Sequence, residues 1–208
     1  MFPSLTRDEV FRIETRRLWL RWPRLDDAAA MAKWVGLRQV AETSVSLRVG
    51  ATAAELATRI QSDRQANLEG RALDFAIVRQ GDDVEVIGRI DVTMQPGRAL
   101  ELGYQLDPAY WGRGLMSEAV SALCAQVFEL APVNQIEAGV RPSNVGSMRV
   151  LEKCGFEATG MREQVSALYG RYAVANYVLA RARPSALRAA AQRRVRVPAT
   201  SHELLGLV

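Results

Sequence analysis

In the stretch PAYWGRGLMSEA, Pro108 to Ala119, two glycines stand one residue apart between a strand-like run and the start of a helical one. The amides in a helix's first turn have no intrahelical partners and sit at the positive end of its dipole, so they suit an anion. Gly112 and Gly114 remove the Cβ atoms that would hold a phosphate away from that backbone. A plain glycine turn between strand and helix is the competing use of the same residues. The GK[ST] ending of a P-loop is absent, and Ser117 stands where GxGxxG needs its third glycine, so both nucleotide fingerprints are excluded. The only histidine, His202, lies in the C-terminal stretch, which removes imidazole catalysis and histidine-ligated metals from the core. Cys124 and Cys154 form no CxxC pair and read as buried thiols of a reducing compartment. No metal is expected.

The elements that must hold these residues follow from periodicity. RIETRRLWLRW alternates Ile13, Leu18, Leu20 and Trp22 with charge and reads as a first strand. Asp26 and Asp27 open an apolar helix over AAAMAKWV, and Thr52 with Glu55 forms a capping box for a second helix that stops at Gly70. Three strands follow, LDFAIVR, VEVIGRIDVTM and ALELGYQL, joined through GDD and QPG as an antiparallel meander. Helix LMSEAVSALCAQVFEL, strand QIEAGV, a helix beginning at Asn144, and strands near EATGMREQV and YAVANYVLA complete the body. This is an α/β layout in which only the later strands run parallel. Trp19, Trp22 and Trp34 fall at core spacings.

A chain of 208 residues, about half of them apolar, suits one domain, here 1–183, followed by a basic tail, 184–208. Lys and Arg exceed Asp and Glu by four, 27 against 23, and the tail's Arg188, Arg193, Arg194 and Arg196 against Glu203 supply three of those charges. A nearly neutral body argues against a nucleic-acid surface, which needs clustered cations. The tail reads either as a loose cationic patch or as a helix packed on the body or on the second subunit of a homodimer. No apolar run approaches the ~20 residues of a membrane span, so the expectation is a soluble protein of the cytoplasm.

LELGYQLDPAYWGRGLMSEAVSALCAQVF and, some thirty residues on, RPSNVGSMRVLEKCGF resemble the GCN5-related N-acetyltransferase (GNAT) superfamily, in its ribosomal-protein N-acetyltransferase-like branch. The likeness runs from about Arg12 to Ala180. It implies a bent, mixed, mostly antiparallel sheet of about seven strands with about four helices. The fourth and fifth strands would part, with acetyl-CoA in the gap. Leu106 and Trp111 would flank the coenzyme, its pyrophosphate resting on Gly112, Arg113, Gly114, Leu115, Met116 and Ser117, while Asn144 and Ser147 meet it from the later helix. Trp111 stands at a Gln/Arg position of the wider superfamily. Met116 replaces a small residue and is expected to crowd the phosphate arm.

An amine attacks a thioester only when neutral, yet an α-amino group has a pKa near ~8 and a lysine near ~10.4, so a proton must be accepted. Without histidine the acceptor is a carboxylate acting through water. The resemblance implies Glu101, opposite in face to Leu100, Leu102 and Leu106, with Asp91 the alternative. A two-residue turn at Pro96 and Gly97 sets Val92 opposite Glu101, and a one-residue bulge sets Asp91 there; both registers stay open. Where many relatives carry an acidic tyrosine this chain has Leu151, and the branch implies Ser147 with a water near the sulfur. The expectation is an acetyl-CoA-dependent N-acetyltransferase for a protein N-terminus or a small amine. A non-catalytic coenzyme-binding sensor with the same fold is the alternative.

Overall fold

The computed structural model describes residues 11–44, 48–95, 100–166 and 170–181. Eight strands among them form one sheet, in the order β1-β2-β3-β4-β5-β6-β8-β7. The strands are β1 (Arg12–Glu14), β2 (Leu18–Arg21), β3 (Ala72–Arg79), β4 (Asp82–Met94), β5 (Leu100–Leu106), β6 (Gln135–Val140), β7 (Glu157–Ser166) and β8 (Gly170–Ala180). The helices are α1 (Asp27–Val35), α2 (Arg38–Ala41), α3 (Ala53–Leu68), α4 (Leu115–Leu130) and α5 (Val145–Lys153), with a 3-10 turn at Pro108–Tyr110. All strand pairs are antiparallel except β5 with β6.

The expected first strand is a hairpin, which makes the strands eight rather than seven. The chain turns at Thr15, whose amide donates to the Leu18 carbonyl at 2.9 Å and whose hydroxyl accepts from the Leu18 amide at 2.9 Å. A fifth helix, the single turn α2, sits in the connection between the two helices expected there. The β3–β4 turn is Gln80-Gly81, not GDD. Gly81 takes φ +85°, and both aspartates after it belong to β4.

The capping box is as expected. Thr52 Oγ1 accepts from the Glu55 amide at 3.3 Å, and Glu55 Oε2 accepts from the Thr52 amide at 2.8 Å. Gly70, at φ +66°, ends α3. Asp27 does more than meet the α1 dipole, because it is buried and takes a two-pronged bond from Arg21 at 2.8 Å on each oxygen.

Strand β3 is buried on both faces. Leu73, Phe75 and Ile77 face a large core with the leucines of β5 and the apolar side of α4, while Ala76 and Val78 face a smaller core with Trp34, Leu56 and Ile60 of α1 and α3. Helices thus cover both faces of the sheet. Trp22 and Trp34 are buried, as their spacing predicts, and Trp34 Nε1 donates to the Val86 carbonyl at 3.0 Å.

Candidate active site

Strands β5 and β6 pair at Leu100 with Ile136 and at Glu101 with Glu137, and at no later position among the described residues, although β5 continues to Leu106 and β6 to Val140. The two strands part there. A cleft of about 970 Å³ follows the gap, from the glycine turn before α4 and the start of α5 to Asp91, Thr93 and Glu101.

At the helix end, Gly112 and Gly114 have φ +74° and +72°, a conformation that costs other residues roughly 1–2 kcal/mol. The glycines are therefore required by the turn itself, and the turn leaves the first amides of α4 at the cleft. Its far side is pinned by the β1–β2 hairpin. Glu118, in the first turn of α4, accepts from the Thr15 hydroxyl at 2.7 Å, the Arg17 amide at 2.8 Å and Arg17 Nε at 2.7 Å. Burial works against the Glu118 carboxylate, but these bonds and the charge of Arg17 outweigh it and lower its pKa. Arg17 Nη1 also donates to the Arg113 carbonyl at 3.0 Å.

Most of the residues expected around the coenzyme line this cleft, among them Trp111, Gly112, Gly114, Ser117, Asn144 and Ser147. Trp111 is tied by Nε1 to the Leu106 carbonyl at 2.8 Å. Arg113 does not line it, because its carbonyl is held by Arg17 and its guanidinium lies 5.4 Å from the Tyr110 ring. Met116 also lines the cleft, although it is only 5% exposed and belongs to the main core. Asn144 caps α5, its Oδ1 accepting from the Ser147 amide at 3.1 Å. Leu151 is fully buried.

At the other end neither expected register occurs. Thr93 lies opposite Glu101 and Gly103 opposite Asp91, one residue beyond the strict-turn pairing with Val92 and on the other side of it from the bulged pairing with Asp91. Asp91, Thr93 and Glu101 consequently share one face. Bare Gly103 leaves room for Asp91: an added Cβ there would lie 3.0 Å from Asp91 Oδ1. Asp91 also accepts from the Thr93 hydroxyl at 3.2 Å and pairs with Arg89 at 3.4 Å. Arg89 is buried and shared with Asp63 and Asp74. Its burial would lower its pKa, but the three carboxylates raise it, so it stays charged.

Glu101 is held from across the sheet. Its Oε1 accepts from Arg162 Nη2 at 2.5 Å and Gln164 Nε2 at 2.9 Å, both from β7. Arg162 passes over Gly139 of β6, where a Cβ would lie 2.9 Å from its Nη2. Arg162, Gln164, Gly103 and Gly139 were not singled out in the sequence; the alternation of Arg162 and Gln164 along one strand was the available signal. Tyr104 was missed too, and its hydroxyl lies 2.6 Å from Ser147 Oγ. Two carboxylates on one face, each partly buried beside a parting of strands, can receive a cationic amine and accept its proton. Among the described residues no group of three or more His, Cys, Asp or Glu is placed to hold a metal ion.

Residues 17–157 match the family described as the acetyltransferase (GNAT) domain. The chain belongs to the GCN5-related N-acetyltransferase superfamily. It is 32% identical over 160 residues to the uncharacterized N-acetyltransferase p20 of Bacillus licheniformis, covering 76% of this chain and 88% of that one. Its fold is similar to the ribosomal-protein-S5-alanine acetyltransferase of Vibrio fischeri, with a TM-score of 0.68 at 22% identity over 82% of this chain and 96% of that one. It is also similar to RimJ of Mycobacterium smegmatis in complex with CoA-disulfide, with a TM-score of 0.67 at 22% identity over 78% and 81%. The GNAT chain described here is an N-acetyltransferase. The parting expected between the fourth and fifth strands of a GNAT sheet falls between β5 and β6 because the opening hairpin advances the count by one.

Proposed function

We propose that this GNAT protein moves the acetyl group of acetyl-CoA to a primary amine, either a protein N-terminal α-amine or a small-molecule amine, by direct attack on the thioester. The observation that carries the reading is the cleft at the β5–β6 parting, with unpaired helix amides at one end and Asp91 and Glu101 at the other. The amides after Gly114 take the pyrophosphate. The ammonium of the acceptor docks between the two carboxylates, and Glu101 takes its proton through a water, with Arg162 and Gln164 fixing the carboxylate's orientation. The amine nitrogen then bonds to the acetyl carbon, the carbon–sulfur bond breaks, and its electron pair leaves on the sulfur.

The test is release of coenzyme thiol from acetyl-CoA in the presence of a panel of small amines and short peptides with free N-termini, alongside calorimetry with the coenzyme. Binding of acetyl-CoA, with release that depends on the amine and rises with pH as the amine deprotonates, is expected. No binding at millimolar coenzyme overturns the reading. Binding without release across both halves of the panel overturns the acceptor class.

A further inference from the structure

Tyr104 stands on the leucine face of β5, packed against the main core, and its hydroxyl reaches the first turn of α5. There it lies 2.6 Å from Ser147 Oγ and 3.1 Å from the Ser147 carbonyl oxygen. Asn144 fixes the same residue from the other side through the Ser147 amide. Both Tyr104 and Ser147 line the cleft. Building on the acetyl transfer proposed for this cleft, we propose that Tyr104 is a positioning residue that turns the Ser147 hydroxyl hydrogen toward the sulfur of coenzyme A as the thioester breaks.

Each hydroxyl carries one hydrogen, so the two contacts admit two arrangements. In the first, Tyr104 donates to the Ser147 carbonyl and Ser147 donates to Tyr104, which turns the serine hydrogen away from the cleft. In the second, Tyr104 donates to Ser147 Oγ, and the serine hydrogen is left to point outward. Without a charged acceptor in the cleft, the first arrangement satisfies both groups inside the protein. When the carbon–sulfur bond breaks and its electron pair settles on the sulfur, the second makes a bond to an ionised acceptor, and such bonds are about twice as strong as neutral ones. The stabilisation then appears as the charge develops rather than in the resting complex, which is where it accelerates the reaction.

Tyr104 aims the serine and keeps its own proton. Burial raises its pKa well above the ordinary value of 10, against a small opposing effect of the Ser147 bond. A thiol titrates near ~8.5, so the thiolate does not draw the phenol proton to itself. The amine's proton leaves through the base, and the thiolate is later protonated from solvent.

The experiment uses the full chain with coenzyme A and needs no acceptor. Thiolate absorbance is titrated for bound coenzyme A, after subtraction of the same titration of the protein alone. Burial raises the pKa of both Cys124 and Cys154, and the subtraction removes what they contribute. The wild type is expected to lower the proton affinity of the bound thiol about tenfold relative to free coenzyme A, the effect of one charge-assisted bond. Ser147→Ala should abolish that shift, and Tyr104→Phe should lose most of it while changing affinity for acetyl-CoA by less than about twofold. In the Ser147→Ala background Tyr104→Phe should do nothing further, because its effect passes through the serine. A purely structural tyrosine would instead lower acetyl-CoA affinity in both backgrounds and leave the thiol titration alone, which overturns the assignment. A wild-type shift that survives Ser147→Ala overturns it as well, even if the tyrosine variant does not fold. Failure of the wild type to bind coenzyme A would remove the acetyl-transfer reading and this one together, whereas binding with an unshifted thiol removes only this one.

Discussion

Glu101 and its supports make the acceptor end sensitive to single atoms. Proton removal by a positioned carboxylate is typically worth ~10²- to 10⁴-fold, so Glu101→Gln should lower turnover by at least ~10²-fold while the coenzyme dissociation constant stays nearly constant. Calorimetry beside steady-state rates separates the two quantities. If Glu101→Gln keeps full activity while Asp91→Asn loses it, Asp91 is the base, and its place across Gly103 explains how it reaches the cleft. Gly139 offers a subtler test. A methyl group there would lie 2.9 Å from Arg162 Nη2, too close to stay, and 3.0 Å from Gln164 Oε1 and 3.1 Å from Val174 Cγ2, tight enough that these side chains must give way. Gly139→Ala should therefore push Arg162 and Gln164 off Glu101, cutting turnover by about tenfold, as a misplaced catalytic group does, without touching the distant pyrophosphate end. Equal loss of coenzyme affinity would show that the β6 strand itself had moved.

At the scale of elements, the chain's local signals were legible and its long-range ones were not. Thr52 and Glu55 cap α3 from within four residues, and the alternation of β5 put Glu101 opposite its leucines, so both could be read directly. The β1–β2 turn could not. It contains no glycine or proline, and Thr15 and Arg17 are held there by Glu118, about a hundred residues later. The β4–β5 register could not be read either: a strict turn and a bulge both fit the spacing, and the strands pair one residue beyond the strict turn. Arg162 and Gln164 reach Glu101 across β8 and β6, a contact that no spacing along β7 announces, and Tyr104 was masked by sharing a face with leucines. The Glu118 cluster gives an element-level prediction. Its bonds lower the Glu118 pKa in the folded chain below the unfolded value near ~4.3, so its stabilisation is present above that pH and is lost as the pH falls through the folded value. Melting temperatures of the wild type and Glu118→Gln should differ most at pH 5 and above, and the gap should close toward pH 3. A gap that does not narrow would mean that the carboxylate's charge is not its source. At neutral pH the same variant should weaken coenzyme binding, since it frees Arg17 and the turn before α4.

For the whole molecule, the two cores lie on opposite faces of one sheet, and the cleft opens where that sheet's pairing lapses, so site and fold share strands β5 and β6. Among the described residues no helix is long and apolar enough to cross a membrane. The arginine-rich stretch 184–208 lies outside the described residues, and the division at residue 183 remains a proposal that the last described residues make testable. Arg181 closes the body: its amide donates to the Asn134 carbonyl at 2.8 Å, its Nε to Val133 at 2.7 Å and its Nη2 to Ala131 at 2.5 Å, while its guanidinium lies 5.1 Å from the Phe128 ring. These contacts fasten the end of β8 to the end of α4. If the domain is complete at that point, a chain ending at Arg183 should keep the wild-type melting temperature, oligomeric state and turnover. Arg181→Ala in the full chain should lower the melting temperature by several degrees, because the partly buried Ala131 and Val133 carbonyls lose charged donors worth about 1.5–3 kcal/mol each. A large destabilisation or a change of subunit number on truncation, measured by calorimetry and light scattering, would show instead that the tail is packed on the body or on a second copy.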